Sequence, residues 1–323
     1  MGRILIGISG WRYAPWRGVF YPPGLPQARE LAFASRALSS IEINGSFYSL
    51  QRPQSYADWY AATPPGFVFS VKGNRFLTHT RRLQDIEKPL ANMLSSGIFK
   101  LREKLGPILW QLPPTLRYDP ERIEHFLSLL PRDTESALKL ARRREPMMKE
   151  RAALAIDAKR PLRHALEIRH PSFIDASFVA LLRKYGVALV IADTAGKWPY
   201  LEDVTADFMY LRLHGDEEIY ASGYCDAALD RWAARIRAWS AGKEPSDAAR
   251  ASSSPAPRTG SRDIYCYFDN DIKVHAPFDA RSLIEKLGLA QELAPVSRPE
   301  ETRRRPRTST PGEAAPRPPV PSG

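Results

Sequence analysis

Ionisable and amide side chains recur near the ends of short apolar runs, and they do so in alternation. In Ile41-Glu42-Ile43-Asn44 the two isoleucines share one side of an extended chain and Glu42 and Asn44 the other. Leu166-Glu167-Ile168-Arg169 repeats the pattern, Phe69-Ser70-Val71-Lys72 gives Ser70 and Lys72, and Tyr210-Leu211-Arg212-Leu213-His214 gives Tyr210, Arg212 and His214. Further runs contribute Ser9, Gln111 and Asp193. Acids (Glu42, Glu167, Asp193) beside cations (Lys72, Arg169, Arg212) and an imidazole (His214) are the materials of acid–base chemistry on a small polar or anionic ligand. In that reading Lys72, Arg169 and Arg212 hold the anionic group, with Gln111 and Asn44 as further ligand contacts. Glu42 or Glu167 is the general base, His214 shuttles a proton, and Asp193 is a further catalytic acid.

Such a set works only if the chain brings it together. The runs are Ile4–Ser9, Ser40–Asn44, Phe67–Lys72, Pro107–Leu112, His164–Arg169, Ala188–Asp193, Phe208–His214 and Ile264–Phe268. Amphipathic stretches lie between them at 26–38, 53–62, 87–104, 120–130, 175–185, 226–240 and 279–287, with an extra helix expected within 134–152. Pro53 and Pro120 suit first-turn positions, Asp175 and Asp279 are candidate N-caps, and Gly186 and Gly288 follow helix ends. Eight strand–helix alternations predict a single α/β domain over 3–290, a TIM-like (β/α)8 barrel; an open doubly wound sheet is the alternative and fits the number eight less well. The apolar face of each strand must pack on the outer helices, so the polar set, late in each strand, points into the C-terminal mouth, where barrel enzymes place their sites. Loops just beyond add Trp11, Tyr48, His79, His170, Asn270 and Asp271 as ligand contacts. Two segments read as unstructured: a low-complexity insertion at 242–262 and a disordered Pro/Arg-rich tail at 291–323.

Composition narrows the classes. The 323 residues are 43% hydrophobic, enough for a large core, and no apolar run reaches the roughly 18 residues of a membrane span. The segment Ile4-Leu5-Ile6-Gly7-Ile8 is too short for a signal-peptide core, and the expected location is cytoplasmic. Two distant cysteines, Cys225 and Cys266, make neither a disulfide framework nor a thiolate metal site. The net charge of +11 resides partly in Arg142, Arg143, Arg144, Lys149 and Arg151 and in the tail arginines 303–305 and 307. Its bland reading is a solvated helix face and a sticky end; its sharper one is nucleic-acid binding or repair.

The polar mouth also admits other readings. A buried salt-bridge network that merely closes the barrel needs no ligand. A non-catalytic ligand sensor would bind without turnover. Glu167, Asp193, His214 and Asp271 could offer a carboxylate/imidazole set to a divalent metal, but Arg169 and Arg212 among them would repel it, so a metal cofactor is not favoured. Glycoside hydrolysis by Glu42 and Glu167 requires a carboxylate pair about 5–10 Å apart, and these two come from distant strands. GxGxxG, P-loop, GxSxG and HExxH patterns are absent.

At these same residues the chain resembles the YecE-like proteins, domain of unknown function 72. The shared stretches are Gly7-Ile-Ser-Gly-Trp11 with Trp16 and Phe20-Tyr21-Pro22, Glu42-Ile-Asn44 with Ser46-Phe47-Tyr48, Phe69-Ser-Val-Lys72 with Thr78-His79, and Gln111-Leu-Pro-Pro114. They continue with Glu167-Ile-Arg-His170, Tyr210-Leu-Arg-Leu-His-Gly215 and Tyr267-Phe-Asp-Asn-Asp271, in order along about 5–290. The resemblance implies a TIM-like barrel and no established activity, so it assigns no catalytic roles. Phe173 stands where the pattern has Trp, and the stretches 142–151 and 242–262 are longer than in it.

Overall fold

Strand β1 (Ile4–Ser9) pairs in parallel with both β2 (Ser40–Ile43) and β8 (Asp263–Phe268), which closes the sheet on itself. Between them β3 (Val68–Lys72), β4 (Leu105–Gln111), β5 (His164–Glu167), β6 (Ala188–Asp193) and β7 (Phe208–Leu213) follow in chain order, every neighbour parallel. All eight expected runs are strands of a closed barrel, and the open sheet is excluded. The computed structural model describes residues 1–296, so most of the tail expected at 291–323 lies outside the described residues.

Helices α1 (Glu30–Ala37), α2 (Gly45–Tyr48), α3 (Pro53–Ala62), α4 (Glu87–Ser95), α5 (Pro120–Leu129), α6 (Thr134–Ala141), α7 (Ala176–Tyr185) and α8 (Asp226–Ser240) lie in the connections, and α9 (Ala276–Lys286) follows β8. Pro53 and Pro120 occupy first turns, Asp175 accepts from Ser177 N at 2.7 Å, and Gly186 takes the left-handed conformation after α7. Asp279 is not the cap expected of it. The helix starts earlier, at Ala276, and the Asp279 carboxylate instead accepts from Tyr224 N and Asn270 Nδ2. The helix expected within 134–152 ends at Ala141 and is followed by a 3-10 turn, Pro146–Arg151, because a proline disfavours helical backbone in the residue before it. No helix joins β6 to β7. Residues 194–207 run irregularly there, and their buried Glu202 and Asp203 accept from the backbone N–H groups of Ala249, Ala251 and Ser252. The insertion at 242–262 thus has no helix or strand, as expected, yet it is tied to the barrel by hydrogen bonds that its composition does not announce.

Alternation sorts the strands into two cores. Ile6, Ile8, Ile41, Ile43, Phe69, Val71, Trp110, Leu166, Leu189, Ile191, Leu211 and Phe268 pack outward under the helices. Leu5, Val68, Leu109, Ala165, Val190, Ala192, Phe208 and Tyr265 fill the barrel. Above this plug, the Tyr210 hydroxyl lies 2.7 Å from Ser70 Oγ and the Tyr267 hydroxyl 2.8 Å from Ser40 Oγ, a neutral polar layer that leads up to the charged mouth. Gly7 shares this inward face. A Cβ on it would stand 1.8 Å from the Ser40 carbonyl oxygen, a backbone atom fixed in the β1–β2 ladder. Gly7→Ala is therefore expected to destabilise the fold by about 3 kcal/mol or to abolish it, read as the shift of a denaturant unfolding midpoint; a midpoint unchanged from the parent would contradict this packing.

Candidate functional site

The inward positions at the strand ends are Ser9, Glu42, Lys72, Gln111, Glu167, Arg169, Arg212 and His214, and they meet at one place. At its centre is Arg212, fully buried, with each of its nitrogens given to the protein. Nε and Nη2 form a fork on Glu42 (3.1 and 2.9 Å), Nη1 donates to Glu167 (2.8 Å), and Nη2 also donates to Asp269 (2.8 Å). The acids are equally occupied. Glu42 further accepts from Ser9 Oγ and the Tyr210 hydroxyl, and Glu167 from Gln111 Nε2 (2.9 Å) and Arg169 Nε (2.8 Å). Burial pushes the Glu167 carboxyl up, but Arg169 and Arg212 outweigh it and hold it well below the usual range. Burial likewise acts against Asp269, and Arg212 with His214 brings it to about 2.

His214 stands between them, Nδ1 at 3.1 Å from Asp269 and Nε2 at 3.4 Å from Arg212 Nη1. A guanidinium can only donate, so Nε2 accepts and the imidazole proton sits on Nδ1, on the side of Asp269 but without hydrogen-bond geometry to it. Burial, and then Arg212, lowers the His214 pKa. This layer is a closed ionic network, and it corrects three expectations. Arg212 does not reach a ligand because its donors are spent. Glu42 and Glu167 have their oxygens engaged and are not free bases. His214 is fully buried beneath the cavity, Nε2 toward Arg212 and Nδ1 close to Asp269, and is not placed as a shuttle.

Above the network lies a cavity of about 460 Å³, lined by Asn44, Phe47, Tyr48, Lys72, Arg75, His79, Gln111, Arg169, Tyr220, Asp269, Asp271 and Ile272. This is the size range of small-ligand sites. Its floor is supplied by strand ends and its walls by the short helix α2, the π-helical turn Phe76–Thr80 and the loops after β7 and β8. The Lys72 ammonium lies 4.4 Å over the Phe47 ring and makes no hydrogen bond or ion pair among the described residues. Burial, reinforced by Arg212, lowers its pKa to about 8. Arg169 lies over Trp198, 3.7 Å from the ring centroid, and is thereby fixed at the cavity edge. Asn44 Oδ1 is buried without a hydrogen-bond partner among the described residues. Burial and the charges of Arg169, Lys72 and Arg75 lower His79 to about 4, so it is a neutral imidazole. Burial, then the Asp269 charge, raises Asp271 to about 6.

A carboxyl with a folded pKa of about 6 binds its proton more tightly folded than unfolded. Its contribution is present at low pH and lost as pH rises from about 4 through 6. Asp271→Asn should therefore remove a decline in melting temperature between pH 4 and 6.5; a variant whose decline matches the parent would show that Asp271 is not the group responsible.

Four expected contacts lie elsewhere. Asp193 belongs by alternation with Leu189 and Ile191, not with Ala192, so it faces the helices and accepts from the Tyr224 hydroxyl at 3.0 Å. Trp11 packs on Trp59 and Phe69 in the outer core. His170 Nδ1 accepts from Ser172 N and caps the turn Pro171–Phe173. Asn270 is buried, donating to Ser222 O and Asp279. With Asp193 turned away and Glu167 and His214 bound to Arg212, the metal-ligand set of Glu167, Asp193, His214 and Asp271 does not assemble. No metal-ready group of His, Cys, Asp or Glu occurs among the described residues. Sequence reasoning missed Asp269, Arg75 and Tyr220. Only Asp269 carried a signal, being next after Tyr265 and Tyr267 in the inward alternation of β8.

A family model described as protein of unknown function DUF72 matches residues 5–305. The UPF0759 protein YunF of Bacillus subtilis (strain 168) is 25% identical over 128 residues, 38% of this chain and 44% of that protein, so the chain matches less than half of its curated relative's length. Among solved structures, a DUF72 family protein from Thermotoga maritima MSB8 superposes with a TM-score of 0.65 at 20% identity, covering 88% of this chain and 99% of the other. One from Enterococcus faecalis V583 gives 0.62 at 16% identity, covering 88% and 96%. At such identities the likeness carries the barrel and nothing about chemistry. No helix of the described residues is long and apolar enough to cross a membrane.

Proposed function

For a chain that belongs to the DUF72 family, we propose that the cavity at the barrel mouth binds a small anionic metabolite of sugar-phosphate size and works on it by acid–base chemistry. The observation that carries this is the charge of the lining. Lys72, Arg75 and Arg169 face the cavity against one lining acid, Asp271, that Arg212 does not meet, while Glu42, Glu167 and Asp269 are already paired with Arg212. A buried, unpaired ammonium is costly unless an anion completes it. Arg75 and Arg169 supply the planar donors that suit phosphate or carboxylate oxygens. Asp271, near pKa 6, is the side chain best matched to give or take a proton near neutrality, with His79 as a neutral hydrogen-bonding partner. The network of Glu42, Glu167, Arg212 and Asp269 is the rigid base that keeps Arg169 and Gln111 in position.

A thermal-shift series tests the reading. Inorganic phosphate and sugar phosphates should stabilise the protein by about 2.7 kcal/mol at a hundred times their dissociation constant, and neutral sugars should not. Arg169→Ala and Arg75→Ala should each remove most of the effect. Stabilisation by oligonucleotides alone, indifferent to both substitutions, would overturn it and move binding to the basic surface around Arg142–Arg144.

A further inference from the structure

Lys72 and Lys104 are both buried lysines on the barrel, yet only one of them is satisfied. Lys104 Nζ donates to the carbonyls of Tyr60 and Thr63 and to Thr63 Oγ1 at 2.8, 2.7 and 3.0 Å. Three acceptors for three protons make a structural ammonium. Lys72, 8% exposed at the end of β3, has none of these, only the face of Phe47, and it lines the cavity with Arg75 and Arg169. An amine held on a rigid strand, withdrawn from water and near the Arg212 cation, is in the environment that favours the neutral, nucleophilic form, and this outweighs the opposite pull of Glu42, Glu167 and Asp269. We propose that Lys72 forms an imine with a small carbonyl compound bearing a phosphate or carboxylate group.

This deepens the anion-site reading and rests on it, since Arg75 and Arg169 take the anionic group and so deliver the carbonyl carbon to Lys72. The step balances without a redox partner. The Nζ lone pair bonds to the carbonyl carbon as the C=O π pair moves to oxygen, and one proton passes from the nitrogen to that oxygen to give a carbinolamine. The nitrogen then forms C=N as the C–O bond breaks, the hydroxyl leaving as water with a proton from the Asp271 carboxyl. Asp271 lines the same cavity, and its raised pKa of about 6 keeps a protonated fraction near neutral pH. The lowered Lys72 pKa of about 8 acts in the same sense by supplying free amine.

The test is reductive trapping of the full chain at pH 7.5 with sodium cyanoborohydride and, separately, pyruvate and dihydroxyacetone phosphate, followed by peptide mass mapping. The expected result is an adduct on Lys72 formed at least about tenfold faster than on the exposed Lys100 and Lys139, given the larger neutral fraction of a lysine near pKa 8. It should be absent in Lys72→Arg, which keeps the charge and serves as the folding control. A protein that phosphate stabilises but whose Lys72 stays unmodified by both carbonyls would overturn the imine and leave the anion site standing. A Lys72 adduct without phosphate stabilisation would instead count against the anion site.

Discussion

Arg212→Met is expected to destabilise the protein by about 3–5 kcal/mol at pH 7.5, the cost of breaking a buried ion pair by removing one partner. The side chain is 1% exposed and is in contact with three carboxylates, those of Glu42, Glu167 and Asp269. Arg169 still pairs with Glu167, but Lys72 contacts none of the three, so removing the guanidinium leaves buried Glu42 and Asp269 without their arginine partner. The pH dependence should change with it. In the parent, Asp269 is held near 2 and Glu167 well below the usual range, so their contribution is present above the unfolded carboxylate pKa near 4 and is lost as pH falls toward 2. Without Arg212, burial at Asp269 is opposed by far less positive charge and its pKa rises above the unfolded one, while Arg169 still lowers Glu167. Stability then grows as pH falls from about 7 toward 4. Denaturant unfolding at pH 4.5 and 7.5 reads both effects. A loss below about 1 kcal/mol with an unchanged pH slope would mean that these acids are not kept ionised by Arg212.

Glu167→Gln is the second large effect, expected at about 3 kcal/mol. The carboxylate accepts from Gln111, Arg169 and Arg212 at once. An amide of the same shape has one acceptor oxygen for three donors, and its NH2 group must face another donor. The substitution also releases Arg169 from its fixed place over Trp198, so anion-induced stabilisation should fall together with fold stability. Because Glu167 and Arg212 share a hydrogen bond, the double variant should lose less than the sum of the singles. Strict additivity would show that the two side chains are not coupled.

Where alternation had contrast, the site was legible. In β2, β3, β5 and β7 apolar and polar residues take turns, and Glu42, Lys72, Glu167, Arg169, Arg212 and His214 all point as that parity requires. Strand β6 is apolar on both faces, as strands of a parallel barrel usually are, so its lone acid marked no face. Asp193 was assigned by its polarity rather than by the Ala188–Val190–Ala192 row that fills the interior. Asp269 was missed because the apolar run of β8 stops at Phe268, one residue short of the next inward position. Trp11, His170 and Asn270 sit in loops, where distance from a strand end says nothing of direction, and for the same reason no pattern announced Arg75 or Tyr220. The proton roles first given to Glu42, Glu167 and His214 required knowing which oxygens and nitrogens were already engaged, and only coordinates supply that.

On this reading Lys72, Arg75 and the outer guanidinium nitrogens of Arg169, whose Nε is held by Glu167, await an anion at the barrel mouth. Crystals soaked in selenate and measured at the selenium absorption edge test it directly. An anomalous peak is expected inside the cavity, within hydrogen-bonding distance of Arg169 and of Arg75 or Lys72, and it should disappear in Arg169→Ala. Peaks confined to the outer surface around Arg142–Arg151, with the cavity holding only water, would contradict it.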